Sequence, residues 1–355
     1  MSKASFNFFK APKFLTFPSV AVEITSAGIF YLNLKKNKLG FLPYRYGFIP
    51  LAPGAVVHND LVNKEELIKA LNQVQIKTGC RFARLTLPEE RTYIFKTELP
   101  ALSETEIQSV LDFKLEENIP LPIKDIIFDY EILPNKNGGS IQQVIVSATS
   151  AKLVDELVDI FKRAKLEPII FSPEARNVAR ALIRPNNQQS LIIVNICNLN
   201  IVFSWVVDGE VLQTSTVNFG STTLNELLAK YYKVPVSEVG KIKKEKLFSD
   251  NVDNMEVFSY LINSFSALKD ELYQFLVFCN EREGNNRPIE KIILAGQDAL
   301  FYNLNHYLSD NLDLPVEIGN VWLNNFNIEK YVPDINRVDA FNFLSVNGLN
   351  LLDYD

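Results

Sequence analysis

The order strand, strand, strand, helix occurs twice in this chain, and a duplicated plan of that kind restricts the fold more than any single motif does. Leu191 to Ile196 is a short apolar, β-branched run of the sort buried on both faces of a sheet. Cys197 to Leu199 turn the chain and Asn200 to Val207 returns it. Asp208-Gly209 is a two-residue hairpin signal, and Glu210 to Val217 supplies the third strand. A helix follows from about Thr222 to Tyr232, with Leu224, Leu227, Leu228 and Tyr231 on one face. Near the N-terminus the order is the same: Ser19 to Ile24, a turn at Thr25 to Gly28, Ile29 to Leu34, and the aromatic-rich Gly40 to Leu51. Asn63, with Glu66 three residues on, predicts the cap of the next helix, and Gly79 its left-handed end.

At 355 residues the chain exceeds one compact core and implies at least two domains. Between the repeats the pattern changes. Arg81 to Leu87 and Arg91 to Glu98 read as a strand pair around Pro88-Glu89-Glu90. Ser103 and Glu106 form a capping box for a helix whose apolar stripe includes Ile107, Val110, Leu111 and Leu115, and Pro120 and Pro122 stop it. Strands at Ile126 to Leu133 and Gln142 to Ala148, a helix from about Lys152 to Ala164 and a closing strand at Glu167 to Phe171 complete a small self-contained α+β module. After the second repeat come a short basic helical region at Val236 to Lys246, a polar loop at Ser249 to Asp253, and a long helix at Met255 to Glu283. A strand at Lys291 to Ala295, a Gly296-Gln297 turn, a helix at Asp298 to Leu308, a strand-like Leu314 to Gly319 and a final helical segment at Asp339 to Leu351 follow.

The net charge of −6 disfavours attraction of the whole molecule to nucleic acid. Lys241, Lys243, Lys244 and Lys246 read as a solvated helix face. Cys80, Cys197 and Cys279 stand in no metal spacing and read as reduced, packed thiols. His58 and His306 accompany no nucleophile motif, which disfavours a Ser-His-Asp or zinc hydrolase, and His306 reads as a structural side chain on a packed helix. No apolar run approaches the ~20 residues that span a bilayer and no signal-peptide pattern is present, so the expectation is a cytoplasmic protein. The segment Met1 to Pro18, rich in Phe and Lys, reads either as a membrane-interface segment or as an arm packed on the body of the protein.

Two stretches carry a family resemblance. Leu99 to Leu133, with its leucine-proline entry, capped acidic helix, Ile-Pro-x-Pro turn and acidic-aromatic strand, resembles PilM, the actin-like protein of type IV pilus assembly, itself similar to the division protein FtsA. Val144 to Leu182, ending in a helix rich in Ala and Arg, resembles it too. The resemblance implies an α/β, actin-like (ribonuclease H-like) fold of duplicated βββαβα lobes with an inserted α+β module of SHS2 type. The implied division is a first lobe at 1–98, with 174–188 and 339–355 returning to it, and the module at 99–173. The second lobe is 189–338, with a helical subdomain at about 222–289.

In that fold nucleotide lies between the lobes. The family's first phosphate hairpin reads Asp/Glu-Ile-Gly-Ser, and here it is Glu23-Ile24-Thr25-Ser26, with the acid kept and the glycine lost. The second, normally Asp-Ile-Gly, is Asn195-Ile196-Cys197, and the adenosine Gly-Gly is Gly296-Gln297. A phosphate cradle uses glycine because the backbone must approach the anion with no Cβ in the way, and a carboxylate near the phosphates holds Mg²⁺. The departures imply a scaffold with no catalytic residue and no metal ligand, in which ATP and Mg²⁺ are not working cofactors. An actin-like ATPase that still binds or hydrolyses ATP is the alternative. A divergent FtsA-like protein is another, although Leu351 to Asp355 do not form the C-terminal amphipathic helix such a protein would carry. The implied partners are the N-terminal peptide of a PilN-like inner-membrane protein, other pilus assembly proteins and copies of the chain itself. The implied place is the inner face of the cytoplasmic membrane, reached through partners. Ile119, Pro120, Leu121, Pro122 and Phe128 form the candidate rim of the peptide groove.

Overall fold

The computed structural model describes residues 18–57, 59–100, 104–133, 141–248, 254–282 and 287–352. The Phe/Lys-rich segment before Pro18, His58, Ser103 of the expected capping box, residues 134–140 between the two strands expected there, and the loop at 249–253 lie outside the described residues.

Strands β1 (Ser19–Ile24), β2 (Gly28–Asn37) and β3 (Gly40–Pro50) form the expected antiparallel meander. A short hairpin, β4 (Val56–Val57) with β5 (Asp60–Leu61), leads into α1 (Lys64–Thr78). Its Asn63 side chain accepts from the Glu66 amide and Gly79 takes φ 63°, as the capping signals require. β6 (Phe82–Leu87) then returns parallel to β1.

The strand that follows, β7 (Thr92–Pro100), corrects the expected pairing of 81–87 with 91–98. Both edges of β6 are taken, one by β1 and the other by β10 (Glu167–Pro173), so β7 has no place beside it. A 3₁₀ turn at Glu89–Arg91 redirects the chain into a second sheet.

There β7 pairs with β9 (Ile141–Ser150), which pairs with β8 (Ile126–Ile132). Helix α2 (Glu104–Asn118) lays Ile107, Leu111 and Leu115 on that three-stranded part. The self-contained module is corrected as well. Helix α3 (Ala151–Arg163) buries Leu157, Ile160 and Phe161 with α1, and β10 lies parallel to β6 in the first sheet. These residues serve the first core because α1 and β6 leave an apolar face and an edge that nothing else covers.

After α4 (Glu174–Leu182), the strands β11 (Ser190–Ile196), β12 (Ile201–Val207) and β13 (Glu210–Val217) repeat the first meander. Helices α5 (Ser221–Tyr232) and α6 (Val236–Ile242), a π-helical turn at Lys243–Leu247 and the long α7 (Asn254–Arg282) precede β14 (Lys291–Ala295). β11 is antiparallel to β12 and parallel to β14, as β1 is antiparallel to β2 and parallel to β6. The duplication is therefore one of pairing as well as of order.

The helix expected at 298–308 is broken. A 3₁₀ turn covers Gln297–Leu300, Asn303 takes φ 62°, and α8 (Leu304–Leu312) starts afresh before β15 (Val316–Ile318). The lysine-rich face is corrected in part, because Lys243 is only 5% exposed. His306 sits on the exposed side of α8 and is not a packed structural histidine. Short α9 (Arg337–Ala340) leads to α10 (Leu344–Leu351), every residue of which is buried. α10 packs on β1, β2 and β6 and, on its other side, on α4, which in turn packs on β12 and β13. The two sheets thus face one another across these two helices, with the cleft at one end.

Candidate nucleotide cleft

The β1–β2 and β11–β12 turns both open into one cavity of about 230 Å³. All seven residues singled out for the cleft line it: Glu23, Thr25, Ser26, Asn195, Cys197, Gly296 and Gln297. The turns that follow β1, in one sheet, and the neighbouring strands β11 and β14, in the other, meet at this cavity.

The substituted side chain of each turn is engaged within the protein. The Thr25 hydroxyl donates to the Gly28 carbonyl at 2.8 Å, inside the turn itself. Cys197 Sγ donates to Glu174 Oε1 at 3.4 Å, and Asn195 Nδ2 donates to the same oxygen at 3.1 Å. Gly296 is held by sterics: at φ 87° a Cβ there would stand 2.2 Å from the Ile196 carbonyl oxygen.

Glu174, at the start of α4, and Glu90 line this candidate site and were not singled out from the sequence; Glu174 makes the closer contacts with the two turns. An acidic residue in the first turn of a helix is favoured anywhere, so nothing local distinguishes it. In the fold it faces Glu23, and Glu90 lines the same cavity. Burial pushes the Glu23 carboxyl well up, and the Glu174 charge adds to the effect. Burial also raises Glu174 to about 7, against its hydrogen bonds from Cys197 and Asn195 and with the help of Glu90. The Cys197 thiol is pushed up by burial and then by Glu174 and Glu23, which makes it a poor nucleophile. Glu90 accepts from the side-chain amides of Asn59 and Asn200, which tie it across the cleft. On the opposite wall Lys243 is engaged by Asp298 and Lys244 by Asp339. Among the described residues no group of three His, Cys, Asp or Glu side chains is arranged to hold a metal ion.

Behind the cleft, Glu89 is raised from 4.5 to about 7, chiefly by burial and secondarily by Glu174, while the Thr214 hydroxyl and the Ala175 amide act in the other direction. A carboxyl whose folded pKa lies above its unfolded value holds its proton more tightly in the native chain. Its contribution to stability is full below the unfolded value and is lost as pH rises through about 7. Glu89→Gln is therefore expected to flatten the fall in stability between about pH 5 and about pH 8, by up to about 3 kcal/mol. Urea denaturation of both proteins at several pH values measures this, and parallel curves would refute it.

The candidate peptide rim lies elsewhere, and none of its residues lines the cleft. Ile119 is buried beneath α2, Leu121 and Phe128 pack partly against the same cluster, and Pro120 and Pro122 face solvent.

A model of the family described as type IV pilus assembly protein PilM matches residues 21–352. Among solved structures the chain is similar to the PilM-PilN type IV pilus biogenesis complex at 16% identity and TM-score 0.77, over 95% of this chain and 99% of that one. It is also similar to MreB5 of Spiroplasma citri bound to ADP, at 12% identity and TM-score 0.54, over 96% of this chain and 97% of that one. The same MreB bound to AMPPNP matches at 13% identity and TM-score 0.53, over 96% of each chain. At such identities the likeness establishes the fold, which is the actin-like one.

Proposed function

The chain belongs to the PilM family of type IV pilus assembly proteins, and we propose that within that family it is a scaffold that binds the N-terminal peptide of a PilN-like inner-membrane protein and turns over little or no ATP. The observation that carries this reading is the filling of the two phosphate turns. Thr25 closes its own turn and Cys197 binds Glu174, so the positions where the backbone would reach an anion are occupied by side chains. Three glutamates, Glu23, Glu90 and Glu174, line the cavity. A triphosphate entering it would meet Glu90 and two acids that burial holds toward their protonated form, while the lysines on the wall are already paired with aspartates. The volume of about 230 Å³ is also below the roughly 300 Å³ at which small-molecule pockets usually begin.

A two-lobed division with the module bearing the partner site fits this reading. In it Pro120, Pro122 and Phe128 form the peptide rim, and the protein works at the inner face of the cytoplasmic membrane through its partner. No helix among the described residues is long and apolar enough to cross a membrane. The second reading, a surviving ATPase, is favoured by the carboxylates of Glu23 and Glu174 facing one another in the cleft, where they would flank a metal-bound phosphate.

One two-armed experiment separates them. Calorimetric titration with a synthetic peptide of the partner's N-terminus is expected to give saturable binding, weakened about tenfold or more by Phe128→Asp. Phosphate release with Mg-ATP is expected to equal that of a Glu23→Ala/Asn195→Ala control. Saturable turnover lost in the control would replace the scaffold reading with the ATPase, and peptide affinity indifferent to Phe128→Asp would remove the rim.

A further inference from the structure

The eight-stranded sheet is barely closed between β7 and β13. The two strands share a single ladder pair, Phe95 with Gln213, whereas β7 is paired with β9 along its length and β13 with β12. Beyond that pair they wall a slot of about 410 Å³, with Thr92 to Phe95 on one side and Gln213 to Thr216 on the other. A slot of this size is within the usual range for ligand pockets.

Two details inside the slot point to what it lacks. The Thr214 carbonyl accepts from the side-chain amide of Gln213 at 3.2 Å, and Arg282 donates to the oxygen of that amide at 3.4 Å. A side chain therefore supplies the donor that a neighbouring strand would normally bring. At the inner end stands Glu89, which is 3% exposed. Its Oε2 accepts from the Ala175 amide at 3.3 Å, while Oε1 is buried without a partner in hydrogen-bond geometry and is influenced only by the Thr214 hydroxyl. A carboxylate so weakly compensated is costly to ionise, and a cationic donor offsets that cost best.

We propose that the slot between β7 and β13 receives an extended peptide segment whose lysine or arginine side chain pairs with Glu89. Main-chain donors of the segment would replace the Gln213 amide at Thr214, as in strand addition to an open sheet edge. The charge balance is favourable: Glu90 lines the slot and Glu174 acts on Glu89, while Arg282, the one cation among the described residues that line the slot, stands engaged with Gln213. This inference does not rest on the partner reading above, since none of the rim residues lines the slot.

The test uses the full chain and a set of labelled pentapeptides with varied flanks, each made with lysine, arginine or norleucine at the centre. Fluorescence anisotropy is expected to show saturable binding in which the lysine or arginine forms exceed their norleucine counterparts by about tenfold. The difference should shrink as pH falls through about 7, where Glu89 takes up its proton, helped by burial, Glu174 and Glu90 and opposed by the Thr214 hydroxyl and the Ala175 amide. Glu89→Gln should erase it, and Ser215→Trp, which fills the slot, should abolish binding of every form. Equal affinity for lysine and norleucine peptides, a difference that survives Glu89→Gln, binding that survives Ser215→Trp, or no saturable binding by any member would each overturn the proposal.

Discussion

Lys243→Ala is expected to lower the unfolding free energy by about 3–5 kcal/mol, the usual cost of leaving one member of a buried ion pair alone. Lys243 Nζ donates to both oxygens of Asp298 at 2.8 Å, and the two residues are 5% and 1% exposed. Burial lowers the lysine pKa and the Asp298 charge opposes that, so the ammonium depends on its partner. The Phe301 ring, 5.5 Å from Nζ, completes the surroundings. Removal of the lysine strands a carboxylate in the interior, beside the turn that carries Gly296 and Gln297 into the cleft. The double change Lys243→Met/Asp298→Leu should restore most of the loss, because apolar replacement of both partners of a buried pair is often neutral. Lys244→Ala, which breaks an exposed pair with Asp339, should cost no more than about 1 kcal/mol. Chemical denaturation measures all three, and a Lys243→Ala midpoint equal to that of Lys244→Ala would show that the buried pair contributes nothing special.

Gly348→Ala is expected to be at least as damaging, at about 3 kcal/mol or more, or to prevent folding. A Cβ at this position would stand 1.7 Å from the carbonyl oxygen of Asn177 and 2.6 Å from its carbon. The obstacle is backbone, so no rotamer change relieves it, and the cost exceeds the about 1–3 kcal/mol of ordinary overpacking. The contact is where α10 and α4 cross, and α4 begins with Glu174, so a shift there should also disturb the Cys197–Glu174 contact. Gly240→Ala serves as the control, since a Cβ there meets nothing within 4 Å and alanine favours the helix by up to about 1 kcal/mol. Equal melting temperatures for the two variants would refute the close-crossing argument.

Much of the fold was legible because its signals are local. Asp208 and Gly209 take φ 56° and 87°, the turn that the dipeptide announces between two apolar runs. The Asn63 cap and the Gly79 terminus likewise need only a few neighbouring residues. The seven cleft residues could be named in advance since they sit at turns whose position the duplicated order dictates, and the family pattern marked which of them departed from it. A candidate partner rim is less legible, because an apolar Ile119 or Leu121 reads the same in sequence whether it packs inward or faces a ligand.

Strand order within each meander, the capped ends of α1 and the two hairpins were thus determined by the sequence alone, through turn chemistry, apolar periodicity and repetition. Tertiary structure alone decided that β7 would leave β6 for the second sheet, that α3 and β10 would complete the first, that Lys243 would be a buried charge, and that Glu174 would line the cleft. The physical reason is that pairing depends on which sheet edges remain free, and burial on what is packed from far along the chain. A lysine within a few residues of other lysines looks the same in sequence whether water or Asp298 lies beyond its ammonium.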